Sequence, residues 1–420
     1  MTNKYYDIII IGSGMAGLFS AYTIKKISPR TSFLVLEKFK KKWLGGRTSN
    51  EDFYGTEIVT GAGIGRKDTN PLLMKLMDEL HLPYQEFKAK MNYSSLLQKN
   101  DKEKNVDIVK IMKHLKSEYK KHPEFRYKTF KDFFISIYGD KIYNNFVVMS
   151  GYSDYENADI LDTLDNYGME DNKEGWTALH IRWKELVDKL YEKIGGSHFK
   201  FSSNVTKIEK KNENSCIYQI EVENGTVYHC NKVIVATTIS GIQKLVPELN
   251  SVYKYIHSQP FLRVYAKFDK KSCDIMKKYV VNYTIVPGPL QKIIPIDADK
   301  GVYMIAYSDN KNAQTLKQYL QNTEENRKLF CGFIEKALGI PEGILHILSI
   351  ISFYWPEGTH YYEPLPKEFK DRSEFIYKAQ HPEKGILVVG EAVSRYQGWV
   401  EGALESVETG LTNKWVLTNC

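Results

Sequence analysis

The chain opens with a sharp alternation of apolar runs and glycines. Ile8-Ile9-Ile10-Ile11 is an unbroken β-branched run, which predicts a strand buried on both faces within a parallel sheet. Gly12-Ser13-Gly14-Met15-Ala16-Gly17 follows at once, and Leu18 to Ile27 then reads as a helix ended by Ser28-Pro29-Arg30. A second buried strand, Phe33 to Leu36, closes on Glu37. Asn70 to Leu82 has a helical pattern, and Trp183 to Ile194 is an amphipathic helix. Residues 76–199 read as mostly helical. Residues 246–379 carry strand-like runs at Phe261 to Phe268, Tyr279 to Val286, Lys292 to Ile296, Val302 to Tyr307 and Ile347 to Tyr354. Phe201 to Thr206 and Asn231 to Thr238 flank an antiparallel pair around Asn224-Gly225. Near the end, Gly385 to Val389 reads as a buried strand, and Gly398-Trp399-Val400-Glu401-Gly402-Ala403 opens a helix.

The first unit carries its own chemistry. Gly12 permits a tight turn, Gly14 lets the backbone approach a pyrophosphate, and Gly17 lets helix and strand pack closely. The helix N-terminus at Met15-Ala16 faces the phosphates. Glu37, 20 residues past Gly17, stands where an acid accepts hydrogen bonds from ribose hydroxyls. Strand, glycines, helix, strand and acid in this order predict a dinucleotide site, and the acid disfavours a 2′-phosphate there.

Beyond Glu37 the chain reads Lys38, then Trp43-Leu44-Gly45-Gly46-Arg47-Thr48-Ser49. Here it resembles the flavin-containing amine oxidase family: monoamine, polyamine and L-amino-acid oxidases. In that family a Gly-Gly-Arg segment follows the ribose acid, and Arg47 matches its arginine by the pyrophosphate and flavin. Gly61-Ala62 matches a pair that runs past the isoalloxazine. The resemblance places the backbone of Val205 on the adenine. It places Glu391, after Gly390, on the ribityl chain, and the helix that starts near Gly398 at the flavin N1–C2 edge, where its N-terminus stabilises an anion. The implied cofactor is FAD. Thr359 stands where monoamine oxidases have the cysteine that bonds the flavin, so non-covalent FAD is expected.

The resemblance implies an α/β fold in which a Rossmann-like FAD-binding domain (1–75, 200–245 and 380–420) interleaves with an α+β substrate domain (76–199 and 246–379). It implies hydride transfer from the carbon of a C–N bond to flavin N5, with O2 as acceptor and hydrogen peroxide as product. A small amine or amino acid is the expected substrate. Three positions usually carry this work. Trp399 takes one of two facing aromatic places. His360 falls at the other, with Tyr361 as the alternative. Arg263 stands where the family has a lysine, and a shifted register nominates Lys267, on the same face of the strand. An imidazole at 360 could act as acid or base, or be a hydrogen-bonded structural histidine. Arg263 keeps its charge and favours an anion, unless it pairs with a carboxylate elsewhere. Arg395 and Tyr396 are candidates to line the pocket. The departures at 263 and 360 keep two other readings open: a related flavoprotein acting on C–C bonds, and an FAD-binding scaffold with little catalysis.

Composition narrows the rest. The 420 residues carry Lys+Arg 58 against Asp+Glu 51, a net charge of +7 that is almost wholly lysine. No aromatic-interleaved basic tract accompanies it, so nucleic acid is not expected as a partner; Lys38 to Lys42 reads as a solvated loop. The charge also argues against a polycationic substrate. No apolar run approaches the ~18 residues of a membrane span, and Met1 to Asp7 has no signal-peptide core. Cys216, Cys230, Cys273, Cys331 and Cys420 show no metal-type spacing, so no metal is expected and a cytosol-like compartment is. A homodimer is the expected assembly. Heavy use of Lys, Asn, Tyr and Ile points to an AT-rich source, such as a large DNA virus.

Overall fold

The isoleucine run lies in strand Lys4–Ile11, the centre of a seven-stranded sheet. The computed structural model describes residues 4–98, 107–167, 172, 175–211, 217–246 and 252–418; Cys216 and Cys420 fall outside them. Lys4–Ile11 pairs in parallel with Phe33–Leu36 on one side and Val227–Val235 on the other. Ile8 and Ile10 pack into one core and Ile9 and Ile11 into a second, so the strand is buried on both faces. Helix Met15–Ile27 covers the first face together with helices Trp183–Ile194 and Val400–Gly410. The hairpin Tyr218–Val222 with Val227–Val235 extends the sheet, and Ile386–Val388 joins in parallel beside Val233–Val235. The strands of this sheet thus come from three separate stretches of chain, at 4–36, 199–235 and 386–388.

A second sheet has six strands, in the order Ile347–Tyr362, Ile256–Phe268, Val302–Asp309, Lys292–Asp297, Tyr283–Ile285 and Met91–Tyr93. Its two longest strands run antiparallel, with Ile256 opposite Tyr362 and Arg263 opposite Phe353. Leu262, Val264, Ala266 and Phe268 face helices Lys270–Tyr279 and Glu324–Leu338. The other face carries Tyr265 against Phe53 and Ile58, residues close in sequence to the first sheet. This alternation turns Arg263 toward the junction between the sheets.

Two sequence expectations need correction. The run from Tyr279 is shorter than expected: Asp269 caps a helix by accepting from the Ser272 N–H (2.8 Å), the helix extends through Tyr279, and only Tyr283–Ile285 is strand. The 76–199 region is not simply helical. Gln85–Lys88 pairs antiparallel with Thr177–His180, and Met91–Tyr93 enters the second sheet. All four residues of Gln85–Lys88 are exposed, so no alternation marks the strand.

Candidate active site

The glycine turn is shaped by what it must leave empty. Gly12 has φ +103°, and a Cβ there would stand 2.4 Å from the Ala236 carbonyl oxygen. At Gly17 a Cβ would meet the Gly12 carbonyl oxygen at 2.0 Å, so strand and helix pack there with no room for a side chain. Gly14 differs: nothing lies within 4 Å of its Cβ position. That opening belongs to a continuous cavity of about 1940 Å³. Glu37 is buried at its edge. One carboxylate oxygen accepts from the Ser13 N–H (2.8 Å) and Ser13 Oγ (2.7 Å), the other from the Phe39 N–H (2.9 Å).

The structure brings the expected residues together. Gly12, Gly14, Met15, Ala16, Glu37, Lys38, Gly45, Gly46, Arg47, Gly61, Ala62, Val205, Gly390, Glu391, Gly398, Trp399, Val400 and Ala403 all line the cavity. So do Arg263, His360, Tyr361, Arg395 and Tyr396. Gly17 does not, in keeping with a packing role. Lys267 is also absent from the lining; its ammonium donates to the Lys300 carbonyl and lies near the Tyr54 ring. Of these two candidates on the strand, Arg263 is therefore the one that reaches the cavity.

Glu391 gathers four segments. One oxygen accepts from Arg47 (2.9 Å) and from the His360 ring, and the other from the Gly398 N–H (2.8 Å). Arg47 also donates to the carbonyls of Glu357 (3.0 Å) and Gly358 (2.7 Å). Burial pushes the Glu391 carboxyl up, but the His360 ring, Arg47 and the Gly398 N–H outweigh it and hold the group at about 2. The His360 side chain has no exposure. The Ile239 N–H donates to its Nε2 (3.1 Å), which leaves Nδ1 to carry the proton donated to Glu391. His360 thus sits within the wall with both nitrogens engaged.

A ribbon at 59–63 runs along the cavity with its carbonyls pinned from outside. The Val59 carbonyl accepts from Tyr265 Oη (2.6 Å), Thr60 from Trp355 Nε1 (2.8 Å), Gly61 from Arg263 Nε (2.8 Å) and Gly63 from Trp183 Nε1 (2.7 Å). The Ala62 N–H donates to the Arg47 carbonyl (2.7 Å), and a Cβ at Gly61 would stand 2.2 Å from that oxygen. Of these donors the sequence marked only Arg263. Tyr265, Trp355 and Trp183 carry no such mark, since an aromatic N–H or O–H aimed at a distant backbone carbonyl leaves no trace in spacing.

Trp399 precedes helix Val400–Gly410, half-buried, with its indole N–H on Asn70 Oδ1 (2.9 Å) and its ring edge-on to Trp183 at 6.0 Å. Glu401 accepts from the N–H groups of Leu72 (2.8 Å) and Leu73 (3.0 Å), tying the helix to Pro71–Glu79. Tyr361 faces His257, ring centroids 5.4 Å apart. Thr359 lies beside Gly398, and none of the described cysteines lines the cavity.

The cavity fits FAD on its own evidence: an open Gly14 at a helix N-terminus, a buried acid at the end of the second strand, and an unobstructed path to Gly398. The comparisons agree. A family model described as NAD(P)-binding Rossmann-like domain matches residues 10–80. A partial relative, an uncharacterized protein of Acanthamoeba polyphaga mimivirus, is 26% identical over 133 residues, which span 28% of this chain and 25% of that protein's length. Among solved structures, a triple mutant of putrescine oxidase with redesigned cofactor binding superposes with a TM-score of 0.74 at 14% identity, over 97% of this chain and 98% of that one. Wild-type putrescine oxidase bound to putrescine gives 0.70 at 13%, over 97% and 99%. At such identities these likenesses carry the fold. The model for flavin containing amine oxidoreductase matches residues 130–408, well over half of the chain. The chain belongs to the flavin containing amine oxidoreductases, with FAD as its cofactor.

Proposed function

We propose that the protein oxidises a C–N bond of a small amine or amino acid. The observation that carries this reading is the single cavity, which joins the dinucleotide cradle to a chamber walled by Trp399, Phe261 and Tyr307. FAD held there would supply the two-electron acceptor for hydride from the carbon that bears the nitrogen, with O2 as terminal acceptor and hydrogen peroxide as product. Gly12 to Gly17, Glu37 and Val205 hold the nucleotide half. Arg47 and Glu391 hold the middle, and Gly45-Gly46 lets the chain pass close by. The Gly398 turn presents the N-terminus of helix Val400–Gly410 where negative charge gathers. Trp399 offers an aromatic face to the amine.

The structure favours a positioning role for His360 over acid–base chemistry, because each ring nitrogen already has a partner inside the protein. Tyr361, which lines the cavity, is the remaining aromatic candidate opposite Trp399. The two sheets support the interleaved division into 1–75, 200–245 and 380–420 against 76–199 and 246–379, with its boundary moved so that helix Trp183–Ile194 and strand Phe199–Lys200 join the first sheet. Among the described residues no helix is long and apolar enough to cross a membrane. The compositional bias and the partial likeness to a mimivirus protein support a large DNA virus as the source.

The test is direct. The purified protein should be yellow with stoichiometric FAD. A panel of amines and amino acids should include a compound that bleaches the flavin anaerobically and yields peroxide in air. If all leave it oxidised while an apolar C–C substrate reduces it, the desaturase reading replaces this one. Flavin that neither photoreduces nor reoxidises within seconds would mark a scaffold.

A further inference from the structure

Arg263 is nearly fully buried, at 6% exposure, yet it lines the cavity. Its donors are only partly used. Nε holds the Gly61 carbonyl (2.8 Å), Nη1 lies 3.5 Å from Met304 Sδ, and the guanidinium sits 4.1 Å over the Tyr307 ring, beside the Tyr265 hydroxyl. Nη2 points along Gly63, so close that a Cβ there would stand 3.1 Å away. Among the described residues no carboxylate pairs with this guanidinium. A neutral carbonyl, a thioether and an aromatic face offset only part of the cost of burying a full charge.

Three acids that line the same cavity are committed elsewhere. Asp162 pairs with Arg372 (2.7 Å), Asp165 with Lys116 (2.5 Å) and Asp297 with Lys300 (3.1 Å). Asp154, also buried on this wall, is itself engaged. The cavity therefore offers a fixed, planar, partly unsatisfied cation beside the ribbon at 61–63, and a guanidinium in that state matches a carboxylate. Phe261, Tyr307 and Tyr152 form an aromatic wall next to it, with ring centroids 5.8 and 5.9 Å apart.

We propose that Arg263 is an anion subsite and that the substrate carries a carboxylate near the oxidised carbon, as in an α-amino acid, with its side chain against the aromatic wall. This rests on the C–N oxidation reading above and narrows it to one class. It sets the chain apart from an oxidase of plain diamines, for which a buried cation would repel the substrate.

The experiment separates the subsite from the oxidation. The holoprotein is titrated with benzoate and with benzamide, its neutral isostere, and the flavin spectrum is followed. Benzoate should bind saturably and about 30-fold or more tighter than benzamide. Equal affinities, or no saturable benzoate binding, overturn the proposal without recourse to any variant. Arg263→Lys keeps a charge and should retain benzoate within about 10-fold, whereas Arg263→Gln keeps a donor for the Gly61 carbonyl, loses the charge and should weaken benzoate about 30-fold or more at unchanged FAD content. Anaerobic reduction is then compared for L-ornithine against putrescine and L-phenylalanine against phenethylamine, pairs that differ only in the carboxylate. The acids should show the lower KM, and Arg263→Gln should raise KM for the acids alone. Amines that reduce the flavin with no carboxylate binding would sink the subsite and leave C–N oxidation standing. Charge-dependent benzoate binding with no reduction by any nitrogen compound would do the reverse. A shifted flavin potential in Arg263→Gln without carboxylate binding would make the flavin itself the counter-ion and overturn the proposal.

Discussion

The two ends of the cavity are built by different means. At the nucleotide end, one continuous stretch from Lys4 to Glu37 makes the turn, the helix N-terminus and the acid. Most of its contacts are backbone, and its glycines act by what they omit. At the opposite end, the ribbon at 59–63 and Glu391 are held by side chains from four segments: Trp183, Arg263 with Tyr265, Trp355 with His360, and Arg47. The first end is a property of local chain geometry. The second exists only when both sheets are in place, so the orientation of the reactive half depends on the docking of the two sheets.

Substitutions can break or sharpen this contrast. The largest effect is expected at Gly17→Val, where added carbons would collide with the Gly12 carbonyl; destabilisation should reach about 4 kcal/mol or more, read as insoluble expression or a collapsed melting transition. Gly14→Val tests the same turn with the opposite outcome. Its Cβ meets no protein atom, so the fold should hold within about 1 kcal/mol while FAD is lost, as absorbance and thermal unfolding of the apoprotein would show. Stoichiometric flavin in Gly14→Val would break the cradle assignment.

At the other end the effects should be graded. His360→Ala removes a donor from a buried, ionised Glu391 and should cost about 2 kcal/mol, with a shifted flavin spectrum. His360→Asn keeps a donor on the Nδ1 side and should recover much of both; equal damage from the two would argue against the hydrogen bond as the cause. Tyr265→Phe orphans the Val59 carbonyl and should cost about 1 kcal/mol, measurable by denaturant titration.

Acid adds a complementary probe. The Glu391 carboxyl is lowered from 4.5 to about 2 in the folded protein. Its contribution, about 3 kcal/mol, is complete above about pH 4.5 and is lost as the pH falls through 2. Glu391→Gln should flatten that part of the stability profile; an unchanged acid limb would mean that other groups control it.

Legibility in the sequence followed the same division. The βαβ unit, the Gly-Gly-Arg segment and the Gly398 turn were readable because each is a contiguous pattern whose residue types answer to backbone geometry. Arg263 was readable as a departure from the family's lysine, but its bond to Gly61 was not. His360 was placed at an aromatic position by its distance from Gly358, and only the packed structure shows Ile239 and Glu391 closing on its two nitrogens. Gln85–Lys88 was missed because all its residues are exposed and its partner, Thr177–His180, lies far along the chain.

The sequence by itself determined the dinucleotide cradle, the order of the interleaved segments and the family, because these rest on local sterics and periodicity. The tertiary structure alone decided which side chains converge on the far end of the cavity. Those contacts join residues as far apart as Arg47 and Glu391, and only the packing of one sheet against the other sets such distances.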